Sequence, residues 1–338
     1  MLNMFDYSTT QMQLTTANAA GFSAVAAFWF YVLSNASSTW QKKLQNAATA
    51  ALIVAFICLT LSIILRGFAA NRFPLANLYE STLWFGWAIT GGYLFLLRKY
   101  RAIQLGWLAA LLATMILVYG SWLPGNQQEL TPLVPALVSY WRKIHVPPLI
   151  ISYALFCLSG LAGLMQLWFA GRWRSVIISV VTIALAFSAI LLGTYTQIET
   201  GWLQLLFVGS GIVGIIFAWK NLSVIKTERV NQPNASLYDE ISSRSIAIAL
   251  PLLTFGIISG GLWANHAWGT YWSWDPKESM ALVTWLSYAA YIHLRIHHEL
   301  AAEKLSLVSI IGLLLTLLTY LGFNSLGFGG LHSYGRFK

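Results

Sequence analysis

The chain is written in long apolar runs separated by short polar breaks. Ten runs are each near the ~20 residues that a helix needs to cross a bilayer. They cover residues 17–35, 47–67, 79–97, 104–122, 146–170, 175–195, 202–219, 245–264, 277–296 and 305–324. The runs are far longer than barrel strands. Backbone groups in lipid must be satisfied within each segment, so the spans are expected to be helices. The first run is the least apolar, and Glu80 is expected just outside the third. The pattern predicts an all-α polytopic transmembrane bundle of about ten spans with a Trp-rich loop on one face. Three segments are expected: residues 1–145, 146–244 (with a hairpin at 175–219 and a polar loop near 220–244) and 245–338.

Composition supports the same class. Of 338 residues, 57% are hydrophobic and 9% charged, against about 25% charged in soluble domains. The formal charge of +9 lies in short loops between spans, which makes it a topology signal and not a nucleic-acid footprint. Lys42, Lys43, Arg98, Lys99, Arg101, Arg172, Arg174, Lys220, Lys226, Arg229, Arg244, Arg295 and Lys304 fall on one side. Arg66, Arg72, Arg142, Lys143, Lys277, Arg336 and Lys338 fall on the other. The larger set is expected to face the cytoplasm or stroma. Both termini, His145, His332 and the Trp-rich stretch then face the lumen or periplasm. No basic n-region of a signal peptide is evident. Cys58 and Cys157 lie inside apolar runs and read as packing residues. A C-x-x-C-H motif is absent, so the chain is not itself a c-type cytochrome.

One stretch interrupts the regularity: WANHAWGTYWSWDPKES, Trp263 to Ser279. Asp275 is a good N-cap and Pro276 suits a first helical turn, so a helix should begin near residue 276. The tryptophans are expected on the connection before it. One or two would serve as an interfacial belt. Trp263, Trp268, Trp272 and Trp274, with Gly269 permitting close backbone approach, suit a platform for a large flat apolar ligand. Two lumenal imidazoles, His145 and His332, are the residue type that holds haem iron at both axial positions. An ordinary surface histidine remains the alternative for each. Arg142, Lys143, Lys277 and Arg336 are candidate partners for propionates, and Gly329-Gly330 for close approach. His293 lies seventeen residues after Pro276, ~25 Å along a helix. It is either a functional intramembrane histidine or an interfacial one near Arg295. His266 reads as local structure, and His297, His298 and Glu299 as solvated. No residue reads as a nucleophile or general base.

The segment WGTYWSWDPKES resembles the tryptophan-rich signature of haem-handling membrane proteins of cytochrome c biogenesis, the WWD family, and most nearly its CcsA branch of system II. FPLANLYES, KIHVPP, YIHLR and GLHSYG are similar to further stretches of that branch, from Phe73 onward apart from the central hairpin. The resemblance implies that His145 and His332 ligate haem b beside Trp263, Trp268, Gly269, Trp272, Trp274 and Asp275. It implies that His293 binds haem within the membrane together with a CcsB-type partner, and that apocytochrome c receives the haem on its C-x-x-C-H motif. The implied location is a cyanobacterial or plastid thylakoid membrane, or a bacterial inner membrane. Rival readings are a system I haem chaperone, a transporter of a small organic substrate with the Trp loop as a lid, and a respiratory quinone or cytochrome b subunit. A transporter would call for internal repeats and broken helices near the midplane, and no clear repeat of that kind is visible. A cytochrome b subunit would call for histidine pairs inside facing spans, and only His293 is well within one.

The loop RGFAANRFPLANLYEST carries Arg66, Arg72 and Glu80, read as interfacial anchors. The segment from Gln128 to Trp141, broken by Pro132 and Pro135, is expected to lie along the interface. His145 is expected at the mouth of the fifth span, just before it begins.

Overall fold

The structure is a computed structural model. It describes residues 4–36, 38–123, 128–130, 132–133, 135–196, 233–297 and 300–322. Nine α-helices occur among them: α1 (Met4–Ala36), α2 (Gln41–Ala70), α3 (Leu78–Tyr100), α4 (Gly106–Trp122), α5 (Trp141–Phe169), α6 (Trp173–Thr196), α7 (Pro233–Trp268), α8 (Pro276–His297) and α9 (Ala302–Leu317). No strand occurs in the described residues. Each helix overlaps one expected span. The seventh expected span, 202–219, lies outside the described residues. Six helical stretches are long and apolar enough to cross a membrane: 8–36, 41–70, 103–122, 141–169, 234–268 and 302–322. The protein is therefore an all-α, multi-pass membrane protein. Helices α3 and α8 are also long, but Tyr, Trp, Ser and Thr dilute their apolar character.

Several boundaries move. α1 starts thirteen residues before the expected span. α5 starts at Trp141 and carries Pro147 and Pro148 inside it. α7 starts at Pro233, inside the expected cytoplasmic loop, and runs to Trp268. Its 36 residues reach ~54 Å, well beyond a ~30 Å hydrocarbon core. Between α4 and α5, a 3-10 turn spans Pro135–Leu137. A single π turn, Leu318–Gly322, extends α9.

The chain divides into two compact units, Met1–Ile150 and Ile151–Lys338. In the first, α1 and α2 pair along their length, and buried polar contacts set their register. Gln13 Nε2 donates to Ser62 Oγ (2.9 Å) and Tyr79 OH (3.1 Å). Near the other end, the Tyr31 hydroxyl meets those of Thr49 and Tyr93, each at 3.0 Å. Buried hydroxyls satisfied in this way fix one alignment of otherwise greasy helices, which would slide at little cost.

In the second unit, α8 packs between α7 and α9. Thr284 and Thr319 hydroxyls meet at 3.0 Å. Trp285 Nε1 donates to Thr254 Oγ1 at 2.8 Å. The Tyr288 ring stacks on Phe156 of α5 with centroids 3.6 Å apart. A Cβ at Gly312 would run into that Tyr288 ring, so the close approach of α9 to α8 requires glycine there. At its far end α8 is tied to α7 by a bidentate pair, Arg295 Nη1 and Nη2 to the two Asp239 oxygens at 2.8 and 2.9 Å. Both cysteines are free thiols. Cys157 is fully buried, in keeping with a packing role.

Candidate functional site

The Trp-rich connection is shorter than the sequence pattern suggests. Because α7 continues to Trp268, Trp263, His266 and Trp268 are helical residues, and only Gly269–Asp275 form the connection. Trp263 is 5% exposed and belongs to the core of its unit. Trp268 is half-buried at the helix end, and His266 is exposed. Gly269 has φ +78° and its N–H donates to Asn265 O at 2.9 Å, the left-handed ending that glycine tolerates best. Its first task is thus to stop α7. Trp274 also has positive φ, +57°, an uncommon conformation for a bulky residue.

The start of α8 is as the sequence indicates. Asp275 Oδ1 accepts from Lys277 N at 2.9 Å. Glu278 Oε2 accepts from Asp275 N (3.3 Å), Ser273 N (2.9 Å) and Ser273 Oγ (3.0 Å). This reciprocal capping box binds the connection to the first turn of α8 and fixes what lies between. Trp272 and Trp274 meet edge to face, with centroids 5.9 Å apart and planes at 87°. The two rings are therefore a corner, not a coplanar shelf. Trp274 is 73% exposed, while Trp272 is half-buried. The Trp272 indole N–H is buried without an acceptor among the described residues.

His145 is the fifth residue of α5, not a residue before it, and is half-buried. His293 is exposed on α8, its ring 4.7 Å from that of His297. The two faces of α8 differ sharply. Thr284, Tyr288 and Tyr291 point inward. Val283, Leu286, Ala290, His293 and His297 follow helical spacing along the exposed side. Helix α8 is continuous, so the seventeen-residue step from Pro276 to His293 holds as expected. His332, Arg336, Lys338 and Gly329-Gly330 lie outside the described residues. So do His298, Glu299 and the residue 197–201 link.

The loop after α2 differs most from the sequence reading. Arg66 and Glu80 are buried, at 0% and 1% exposure, and are not interfacial anchors. Glu80 receives Arg66 Nε (3.1 Å), Arg72 Nη1 (2.8 Å) and Nη2 (2.9 Å), and Ala76 N (2.6 Å). Arg66 also donates Nη1 to Gln128 O (2.6 Å) and Nη2 to Glu129 O (2.9 Å). Burial pushes the Glu80 carboxyl up. The Arg72 contacts, the Ala76 N–H and the Arg66 charge outweigh it and hold it below the usual carboxylate range. Asn77 Oδ1 caps α3 through Glu80 N (2.9 Å). That Asn-x-x-Glu spacing was the signal available in the sequence for an ordered helix start.

A family described as cytochrome C assembly protein matches residues 75–331. The chain belongs to the cytochrome c assembly protein family. The match spans α3 to the end of the described residues and includes the Trp corner, His145 and His293. Among curated relatives, the cytochrome c biogenesis protein CcsA of Pyropia yezoensis is 40% identical over 293 residues, covering 86% of this chain and 88% of the relative. The CcsA of Porphyra purpurea is 37% identical over the same shares. That of Prochlorococcus marinus (strain MIT 9303) is 33% identical over 338 residues, 99% of each chain. The expected CcsA-type membership holds, and with it a role in cytochrome c biogenesis.

Proposed function

We propose that the protein carries haem b to the non-cytoplasmic face of its membrane and presents it there to apocytochrome c. The observation that carries this reading is the locked corner of Trp272 and Trp274: an exposed indole, a buried indole N–H without an acceptor, and a capping box that holds both in place. It suits a flat, largely apolar ring with acceptors at its rim. Bound haem would offer two vinyl groups, to which the paired thiols of C-x-x-C-H add to give thioethers.

This chain's residues bind and orient. His145 and His332 would hold the haem iron through their imidazoles. Trp272 and Trp274 cover part of the ring and exclude water, and Trp268 with Gly269 shapes the edge of that surface. Asp275 holds the connection, and Trp263 backs it from the core. When bound, haem would supply the vinyl groups and the iron, and this chain's imidazoles would hold that iron. No general base is required, since the work is positioning. His293 provides an earlier station within the membrane. Its place on the exposed face of α8 suits a second ligand from a partner of CcsB type. The membrane is a thylakoid membrane or the bacterial equivalent, with the Trp connection and both termini on the lumenal side.

The test is absorption spectroscopy of the purified complex. We expect a Soret band that is lost or shifted in the His145→Ala/His332→Ala double variant. Unchanged haem content in that variant would remove these two as ligands. For His293→Gly, added imidazole should restore part of the signal by filling the vacated position. Absence of rescue would leave His293 a structural role.

A further inference from the structure

Arg142 is electrostatically misplaced unless an anion joins it. It is the second residue of α5, whose first turn carries no acidic side chain. A helix N-terminus is already partially positive, so a cation there is unfavourable. Arg142 is also 3% exposed, and its Nε and Nη1 have no acceptor among the described residues. A buried cation with unmade hydrogen bonds is among the costliest features a fold can hold.

Glu80 does not relieve it. Arg142 lies close enough to feel both the attraction of Glu80 and the repulsion of Arg72. Yet the four donors from Arg66, Arg72 and Ala76 already fill the Glu80 oxygens, about the full capacity of a carboxylate. Among the described residues, three guanidinium groups share the one buried carboxylate of Glu80. Arg66, Arg72 and Glu80 hold one another in place, and Arg142 is the member of the cluster with unmade hydrogen bonds.

Helical register indicates what the guest is. Arg142 and His145 are three residues apart on α5, so they share one face of that helix. We infer that Arg142, held in the Arg66–Arg72–Glu80 cluster, receives a propionate carboxylate of the haem whose iron is bound by His145. The inference rests on the reading of His145 as a haem ligand. It adds an anchor that fixes the rotation of the ring about the iron–imidazole axis, and so decides which edge carries the vinyl groups outward.

The test compares two porphyrins on the detergent-purified protein: ferric protoporphyrin IX and its dimethyl ester, which has the same ring and iron but no carboxylates. Affinities are read from Soret titrations. Wild type should prefer the free acid by about ten-fold or more, the worth of a charge-assisted hydrogen bond. Arg142→Gln should lose most of that preference by weakening the free acid toward the affinity of the ester. Arg142→Lys, which keeps the charge and is the gentler change to the fold, should recover part of the preference. Equal affinities in wild type, or a wild-type preference in both variants, overturns the inference while leaving haem binding intact. Binding of neither porphyrin by wild type overturns the haem reading itself. A third arm adds phosphatidylglycerol or phosphatidylcholine in nanodiscs. Stabilisation by phosphatidylglycerol that depends on Arg142, without any acid-over-ester preference, would assign the site to a lipid phosphate and overturn the propionate.

Discussion

Replacing Glu80 by Gln tests whether the buried arginines depend on its charge. The substitution keeps the side chain's shape and removes one negative charge from a site 1% exposed. It leaves Arg66 and Arg72 facing an amide whose N–H₂ repels them, and Arg142 with no compensating charge at all. Breaking a buried ion pair from one side costs about 3–5 kcal/mol. The upper half of that range is expected here, because one carboxylate serves three guanidinium donors and a backbone N–H. The assay is unfolding of the purified protein in mixed micelles, followed by loss of helical circular dichroism. The sign with pH is fixed by the depressed Glu80 carboxyl. Its stabilisation is fully present above the ordinary glutamate range and is lost as pH falls through its lower folded value. The gap between wild type and Glu80→Gln should thus stay constant from about pH 8 to about pH 5 and close only below about pH 4. Arg66→Lys should cost nearly as much, since an ammonium cannot reach Glu80, Gln128 O and Glu129 O together from one planar fork. A Glu80→Gln protein within about 1 kcal/mol of wild type would refute the reasoning.

Two further outcomes follow from the Trp-rich segment. Trp263→Ala should destabilise by about 3–5 kcal/mol through loss of a buried ring, whereas Trp274→Ala, largely exposed, should change stability by about 0.5 kcal/mol or less yet weaken haem binding in the same Soret titration. Asp275→Ala should cost about 1 kcal/mol as a lost N-cap and, by freeing the connection, broaden the Trp fluorescence and reduce porphyrin affinity. An unchanged affinity would separate the cap from the site.

The helices were legible because twenty-residue apolar runs leave few alternatives in lipid. The helix ends were less so. Pro147-Pro148 pointed to a start at residue 146, but α5 begins five residues earlier at Trp141. The crowd of tryptophans suggested one surface, yet α7 runs on to Trp268 and turns Trp263 inward, leaving a corner of two rings. Asp275, Pro276 and Glu278 were readable because capping is local chemistry. The arginine cluster was not, because Arg66, Arg72, Glu80 and Arg142 come from the end of α2, a loop, the start of α3 and the start of α5. Each alone looks like a residue at a membrane surface. Only the folded chain shows that they lie close together and that, among the described residues, one carboxylate serves three guanidinium groups.

The tandem prolines of α5 have a mechanical corollary. Neither Pro147 nor Pro148 has an N–H, so the carbonyls of Lys143 and Ile144 lack their usual rungs. Prising the opening turn away from the rest of this long rod therefore breaks two fewer main-chain bonds than doing so at any proline-free turn. The start of α5 carries both Arg142 and His145, so these two side chains can shift together there while the remainder of the rod keeps its ladder.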